Sequence, residues 1–242
     1  MKIGIVVTVL VNFRGAVETL QSVKTKHDYR IYIIDQWRHN RPLAQAWNQG
    51  AQQAFAEGCQ FALVCNDDIL FAPETIDAMV SEYVRLRTEK VIMVTPNNIK
   101  TELEAEGKDL YSILDYQRPK DLPVGVHDGP NFSCFLIAPE FFALHGTFDE
   151  NFVPAWFEDN DSHYRAQLLG YREISTTAAP QVHIGGVATS MMHTIGMEPN
   201  SQKSREYYLK KWGGLPPGHG GKEVFTTPYN NPELSPREWV KE

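Results

Sequence analysis

From Ile3 to Val11 the chain is almost continuously apolar, which predicts a first strand buried on both faces; the run is too short to cross a bilayer. Ala16, Leu20 and Val23 then recur at helical spacing. Arg30–Ile34 reads as a second strand that ends at Asp35. Leu43, Trp47, Ala51, Ala54 and Phe55 trace one face of a helix closed by Gly58. Phe61–Cys65 predicts a third strand running straight into Asn66-Asp67-Asp68. Pro73 opens a helix with Ile76, Met79, Val80, Tyr83 and Val84 inward, and Val91–Thr95 gives a fourth strand. This alternation predicts an α/β fold with a doubly wound, mostly parallel sheet. Ligands of such sheets sit outside the carboxyl ends of the strands, where Asp35, Asp67 and Asp68 all fall.

Beyond residue 96 the pattern weakens. Residues 97–129 are polar and charged, which predicts a loop region or a mobile flap. Phe132–Ala138 resumes as a strand, Pro139–Leu144 as a short helix, and Asp161–Leu169 as a helix ended by Gly170. From Gly213 the chain is rich in Gly and Pro, which predicts a tail wrapping the domain or a neighbouring subunit.

Composition narrows the class. Of 242 residues 42% are hydrophobic and 22% charged, so one sizeable core is expected. The net charge of −7 argues against a non-specific nucleic-acid binder, though not against a local basic groove. Cys59, Cys65 and Cys134 lie far apart in apolar contexts, as buried reduced thiols do, which suits a cytoplasmic protein. No small-residue cleavage site follows the first apolar run.

Four clusters carry candidate chemistry. The neighbouring carboxylates of Asp67 and Asp68 project to opposite sides, so one can take a divalent cation while the other takes a hydroxyl or water; a polar turn at a strand end reads the same way. Between Asp149 and Tyr164 there are five acids and no Lys or Arg. Within that stretch Glu158, Asp161 and Arg165 share a helix face, so Asp161 and Arg165 can pair. Asp159 points elsewhere, beside Trp156 and Phe157, as a candidate general base with an aromatic sugar platform. Acids in a first turn also simply complement the helix dipole, which leaves the aromatic pair unexplained. His183, at a strand end before Gly185-Gly186, can complete a metal shell or contact phosphate, although a lone His is more often structural. Finally Lys203, Arg205, Lys210 and Lys211, interleaved with Tyr207, Tyr208 and Trp212, suit either an anion clamp over a diphosphate or a solvated amphipathic helix.

The order of these motifs resembles glycosyltransferase family 2. The likeness rests on an Asp after the second strand, Asp-Asp after the third, and Gly146-x-Phe148-Asp149-Glu150-x-Phe152. It continues through Glu158-Asp159-x-Asp161-x-x-x-Arg165 to a late His183, and covers roughly Ile3 to Trp212. Trp47-Asn48-Gln49-Gly50 also resembles the family's second helix, while Val11-Asn12-Phe13 lacks the family's usual proline. The resemblance implies a GT-A-like domain over 1–212, with a nucleotide-binding half (1–96), an acceptor-side half (97–212) and a tail (213–242). It implies that Asp35 contacts the nucleobase, that Asn66 and Asp67 face the ribose and phosphates of a nucleoside-diphosphate sugar such as a UDP-sugar, and that Lys203 and Arg205 help bind this donor. Asp68 and His183 would hold Mn2+ or Mg2+. Asp159, with Glu158, would act on the acceptor hydroxyl in an inverting displacement, and Trp156, Phe157 and Asp161 would line the acceptor side. The acceptor itself is open between a glycan, a protein side chain and a modified nucleobase. With no membrane helices after the catalytic part, a single-addition transferase is expected. A nucleotidyltransferase would show a Gly-rich basic loop where Asn12-Phe13-Arg14-Gly15 stands, and a dinucleotide dehydrogenase its glycine fingerprint. A non-catalytic sugar-binding module differs in tolerating loss of Asp159.

Overall fold

The computed structural model describes residues 1–36, 41–187, 190–191, 201–216 and 219. The eight described strands are β1 (Lys2–Val9), β2 (Asp28–Asp35), β3 (Phe61–Asn66), β4 (Ile69–Phe71), β5 (Val91–Asn98), β6 (Val126–Asp128), β7 (Cys134–Ile137) and β8 (Arg172–His183). They form one mixed sheet in the order β2-β1-β3-β7-β5-β8-β4, with β6 also paired to β8. From the pairings, β1, β2, β3, β5 and β8 run one way while β4, β6 and β7 run the other, so the sheet is mostly parallel as expected.

Helices cover both faces. On one, α1 (Phe13–Gln21) and α3 (Thr75–Leu86) bury Ala16, Ile76, Met79, Val80 and Tyr83 against Ile3, Ile5, Val7 and Val9. On the other, α2 (Leu43–Ala56) and a short α5 (Glu140–His145) pack Trp47, Ala51, Ala54 and Phe141 against Val6, Val64, Phe135 and Ile137. A central strand covered from both sides has no polar alternation, which is why β1 reads as an unbroken apolar run. Val84, expected inward, is 50% exposed, because the apolar stripe of α3 is narrower than its sequence pattern. No described helix is long and apolar enough to cross a membrane.

Two regions differ from the sequence reading. Residues 97–129 hold a helix α4 (Lys100–Ala105), a 3-10 turn at Leu110–Asp115 and strand β6, all too short to register as periodicity. They are anchored by Leu103 and Ile113, which bury against Leu70 and Val182. Strand β4, not anticipated, follows the Asp67-Asp68 turn directly. Further described helices are α6 (Glu158–Leu168), which begins three residues earlier than expected, and α7 (Gln202–Trp212). Most of the expected tail, and the Trp37–Asn40 segment, lie outside the described residues.

Candidate functional site

The carboxyl ends of β2, β1 and β3 stand side by side, with Val9 in register with Asp35 and Thr8 with Asn66. Asp35 and Asn66 are half-buried there, and Asp67 and Asp68 are buried just beyond. The two aspartates diverge as their spacing suggests. Asp67 turns toward the β1–α1 loop, where its carboxylate takes backbone N–H groups of Leu10 and Asn12, yet its Oδ2 is left buried without a partner. Burial, and then the neighbouring charge of Asp68, push the Asp67 carboxyl up to about 7.

Asp68 faces the end of β8. Its Oδ1 lies 3.2 Å from His183 Nε2, and its Oδ2 accepts the Gly185 N–H at 3.1 Å. The delivery of His183 is the work of β4. After the aspartate turn the chain returns antiparallel to β8, pairing Ile69 with His183, and the Ile184 N–H closes on the Asp68 carbonyl at 3.0 Å. From the other side Asn98 Oδ1 accepts the His183 N–H at 3.1 Å, and Lys100 Nζ donates to the Ile184 carbonyl at 2.5 Å. The glycines after His183 have left-handed φ of 75° and 71°, which lets the backbone fold back over Asp68.

The sequence alone did not expose the role of Asn12. Its Oδ1 caps α1 by accepting the Gly15 N–H, while its Nδ2 donates to the Asp67 carbonyl at 3.0 Å. A Cβ at residue 15 would overlap both the Asn12 amide and the Asp67 carbonyl, so glycine is required where α1 meets the turn.

A second cluster opens α6. Trp156 (φ 75°) and Phe157 (φ 70°) are both left-handed, so two bulky residues in strained conformations precede three acids in the first turn. Glu158 is buried with Oε2 unpartnered, and burial, together with the charges of Asp159 and Asp161, holds its carboxyl well above the usual range. Asp159 is half-buried, accepts the Asn160 N–H at 2.7 Å and is likewise raised by burial. Asp161 is fully buried and pairs with Arg165 at 3.0 Å, as the sequence anticipates. Phe157 packs on Tyr208 with ring centroids 5.4 Å apart, leaving the half-buried Trp156 as the more open ring.

The loop before α6 is read by α2. Asn48 brackets Phe148, donating to its carbonyl at 2.8 Å and accepting its N–H at 2.9 Å, and also donates to Glu150 at 2.9 Å. Leu43 N donates to the Pro154 carbonyl at 3.0 Å.

The basic helix departs from the expected clamp at one residue. Lys203 is exposed and Arg205 half-buried, but Lys211 is 1% exposed, with its ammonium 2.6 Å from both Asp149 and Asp161. It points inward because Tyr207, Tyr208 and Trp212 turn that face of α7 into the core. The structure therefore pairs Asp68 with His183, with Asp67 next to Asp68 but turned away, and gathers Glu158, Asp159 and Asp161 with Lys211 in another cluster.

The fold matches solved GT-A glycosyltransferases. The catalytic domain of Drosophila beta1,4-galactosyltransferase 7, solved with xylobiose, aligns with a TM-score of 0.54 at 13% identity, over 87% of this chain and 79% of that one. The same Drosophila enzyme, as a variant with manganese, UDP-Gal and xylobiose, aligns with a TM-score of 0.50 at 13% identity over 84% and 78%. GalNAc-T7 with UDP, GalNAc and Mn2+ aligns with a TM-score of 0.54 at 14% identity, over 76% of this chain but only 44% of its own length. No family model and no curated protein matches the sequence.

A divalent cation fits the first cluster. Asp68 and His183 offer one carboxylate and one imidazole, while the Asp67 carboxylate is turned toward the β1–α1 loop. No set of three or more His, Cys, Asp or Glu is grouped for metal binding among the described residues. A cation held there would complete its shell with substrate oxygens, as Mg2+ and Mn2+ do at phosphate-binding sites.

Proposed function

We propose that this chain is a glycosyltransferase that moves one sugar from a nucleoside-diphosphate sugar to an acceptor hydroxyl with inversion. The observation that carries the reading is the Asp68–His183 pair at the carboxyl edge of the sheet. The His183 N–H is held by Asn98 and the Asp68 carboxylate by the Gly185 N–H, which supports reading the pair as a fixed place for a cation.

In this reading Asp35 meets the nucleobase, Asn66 and Asp67 the ribose and phosphates, and Asp68 and His183 bind Mn2+ or Mg2+. When bound, the cation supplies positive charge for the departing nucleoside diphosphate. Lys203 and Arg205, on α7, would add positive charge toward the donor phosphates. Asp159 takes the acceptor proton as the hydroxyl oxygen attacks the anomeric carbon; its burial raises its basicity toward what a general base needs. Glu158, whose carboxyl is raised by burial and by the charges of Asp159 and Asp161, stands beside it, and Trp156 offers a ring to the acceptor sugar. UDP-sugars are the first donors to test, since two of the matching structures hold UDP or UDP-Gal.

The test is a thermal-shift panel of nucleotide-sugars with and without manganese, followed by product analysis. The reading expects stabilisation by one donor that depends on the cation, then release of nucleoside diphosphate when an acceptor is supplied. Release of pyrophosphate would make the chain a nucleotidyltransferase, and binding without turnover would make it a sugar-binding module.

A further inference from the structure

The charged groups behind α6 are unusually complete. Lys211 Nζ lies 2.6 Å from Asp149 Oδ2 and 2.6 Å from Asp161 Oδ1. Arg165 takes the other Asp161 oxygen at 3.0 Å, Tyr207 donates to Asp149 at 2.8 Å, and Trp212 Nε1 donates to Asp161 at 2.9 Å. The rings of Phe152, Tyr207 and Trp212 surround the ammonium, with centroids 5.6, 5.9 and 5.6 Å away. Two cations face two carboxylates here, with Lys211, Arg165 and Asp161 buried and Asp149 partly so. Burial raises the Asp149 carboxyl, but the Lys211 ammonium, helped by Asn151 and Tyr207, outweighs it and holds the group down to about 2.

Three chain segments meet at this ammonium: the Phe148-Asp149-Glu150 loop, the first turn of α6 and the end of α7. The same helix grips the loop again nearer α6, where Ser204 Oγ lies 3.2 Å from the Val153 carbonyl and 2.8 Å from that of Ala155. Between these grips sit Trp156 and Phe157, whose left-handed conformations persist only where surroundings impose them. Buried ion pairs are poor sources of net stability compared with apolar packing of equal volume; in some proteins what they fix is a specific geometry.

We propose that Lys211 is a positioning residue, which by holding Asp149 and Asp161 together fixes the turn that presents Asp159 to the acceptor. This rests on the reading of Asp159 as the base. Lys211 touches no substrate in this proposal; it acts through the backbone of α6, where the Asp161 N–H closes the first turn on the Phe157 carbonyl at 2.9 Å.

The experiment compares Lys211→Met, Asp149→Asn and the double variant with the wild type, by amide hydrogen exchange without substrate and by steady-state kinetics. In Lys211→Met, two buried carboxylates face one cation. The amides of the Glu158–Asp161 turn should exchange faster, and kcat should fall by about 10²-fold while the donor KM holds, as expected for a misplaced reacting group. The double variant restores charge balance, leaving Asp161 with Arg165, but not the bridge, so it should fold while keeping the fast exchange at the turn and the low kcat; it also covers the case in which the single variant fails to fold. Unchanged exchange at that turn in Lys211→Met, or a double variant that regains wild-type exchange and turnover, would overturn the proposal. Hydrogen exchange needs no turnover, so it decides the role of Lys211 even if the wild type transfers no sugar, which would instead defeat the glycosyltransferase reading.

Discussion

His183 Nε2 stands 3.2 Å from Asp68 Oδ1, while the second oxygen of the same carboxylate accepts the Gly185 N–H. One carboxylate is thus shared between an imidazole and a backbone donor at the mouth of the sheet. In the proposed reading these two residues would hold the cation, and Gly185 fixes the far oxygen of the carboxylate.

From this follows the first prediction. A donor nucleotide-sugar at a hundred times its Kd should stabilise the wild type by about 2.7 kcal/mol in the presence of manganese. Asp68→Ala should lose the manganese-dependent part of that shift, and His183→Ala should diminish it. Melting curves with donor, with and without manganese, read this directly. An intact manganese-dependent shift in Asp68→Ala would remove the aspartate from the metal site.

Asp159→Asn tests the other cluster. The amide keeps the size and the Asn160 contact of the carboxylate but cannot accept a proton from the acceptor. Donor affinity and melting temperature should stay close to wild type, while transfer falls roughly 10²–10⁴-fold, the usual contribution of a positioned base. Wild-type turnover in this variant would move the role elsewhere, with Glu158 the next carboxylate to examine.

The sequence made some of this legible and hid the rest for identifiable reasons. β1, β3 and the apolar stripe of α2 announce themselves because burial on both faces, or at a helical period, leaves a pattern in the chain itself. The divergence of Asp67 and Asp68 was also readable, since neighbouring residues leaving a strand project to opposite sides. Strand β4 was not, because three buried residues, Ile69–Phe71, carry no period, and yet it is β4 that brings His183 to Asp68. Lys211 misled in the opposite direction. A lysine in a basic stretch reads as solvated, and only the placement of Tyr207 and Trp212 around Asp149 and Asp161 shows that its charge is held inside. The links of Asn12 to Asp67 and of Asn48 to Phe148 were invisible because those backbone partners lie 55 and 100 positions away.

Gly15→Ala should damage the donor side from a distance. Its added methyl meets the Asn12 amide and the Asp67 carbonyl, so either the α1 cap opens or the aspartate turn shifts. Overpacking of this kind costs about 1–3 kcal/mol. Urea denaturation should show that loss together with weaker donor binding. Loss of stability with donor affinity intact would mean that the α1 end and the turn are not coupled.

The last prediction concerns acid. His145 is fully buried, with Nε2 3.0 Å from the Ser162 carbonyl and its ring stacked on Phe141 at 4.5 Å. Burial, and then the charge of Arg165, lower it from 6.5 to about 4. Between those values the unfolded chain binds a proton that the folded chain refuses, so stability falls as pH falls, by at most about 3 kcal/mol for this group. Asp67 works against it. Its carboxyl is raised from 3.8 to about 7, so over much of the same range the folded chain holds a proton the unfolded one has released, and stability rises as pH falls. The wild-type profile should therefore be flatter than either contribution. His145→Asn removes one of the two, so its stability relative to wild type should climb steadily on acidification from pH ~6.5 to ~4, whatever its absolute level at neutral pH. Urea titrations of both proteins across that range measure the difference, and a difference that does not change with pH would show that His145 is not held neutral by the fold.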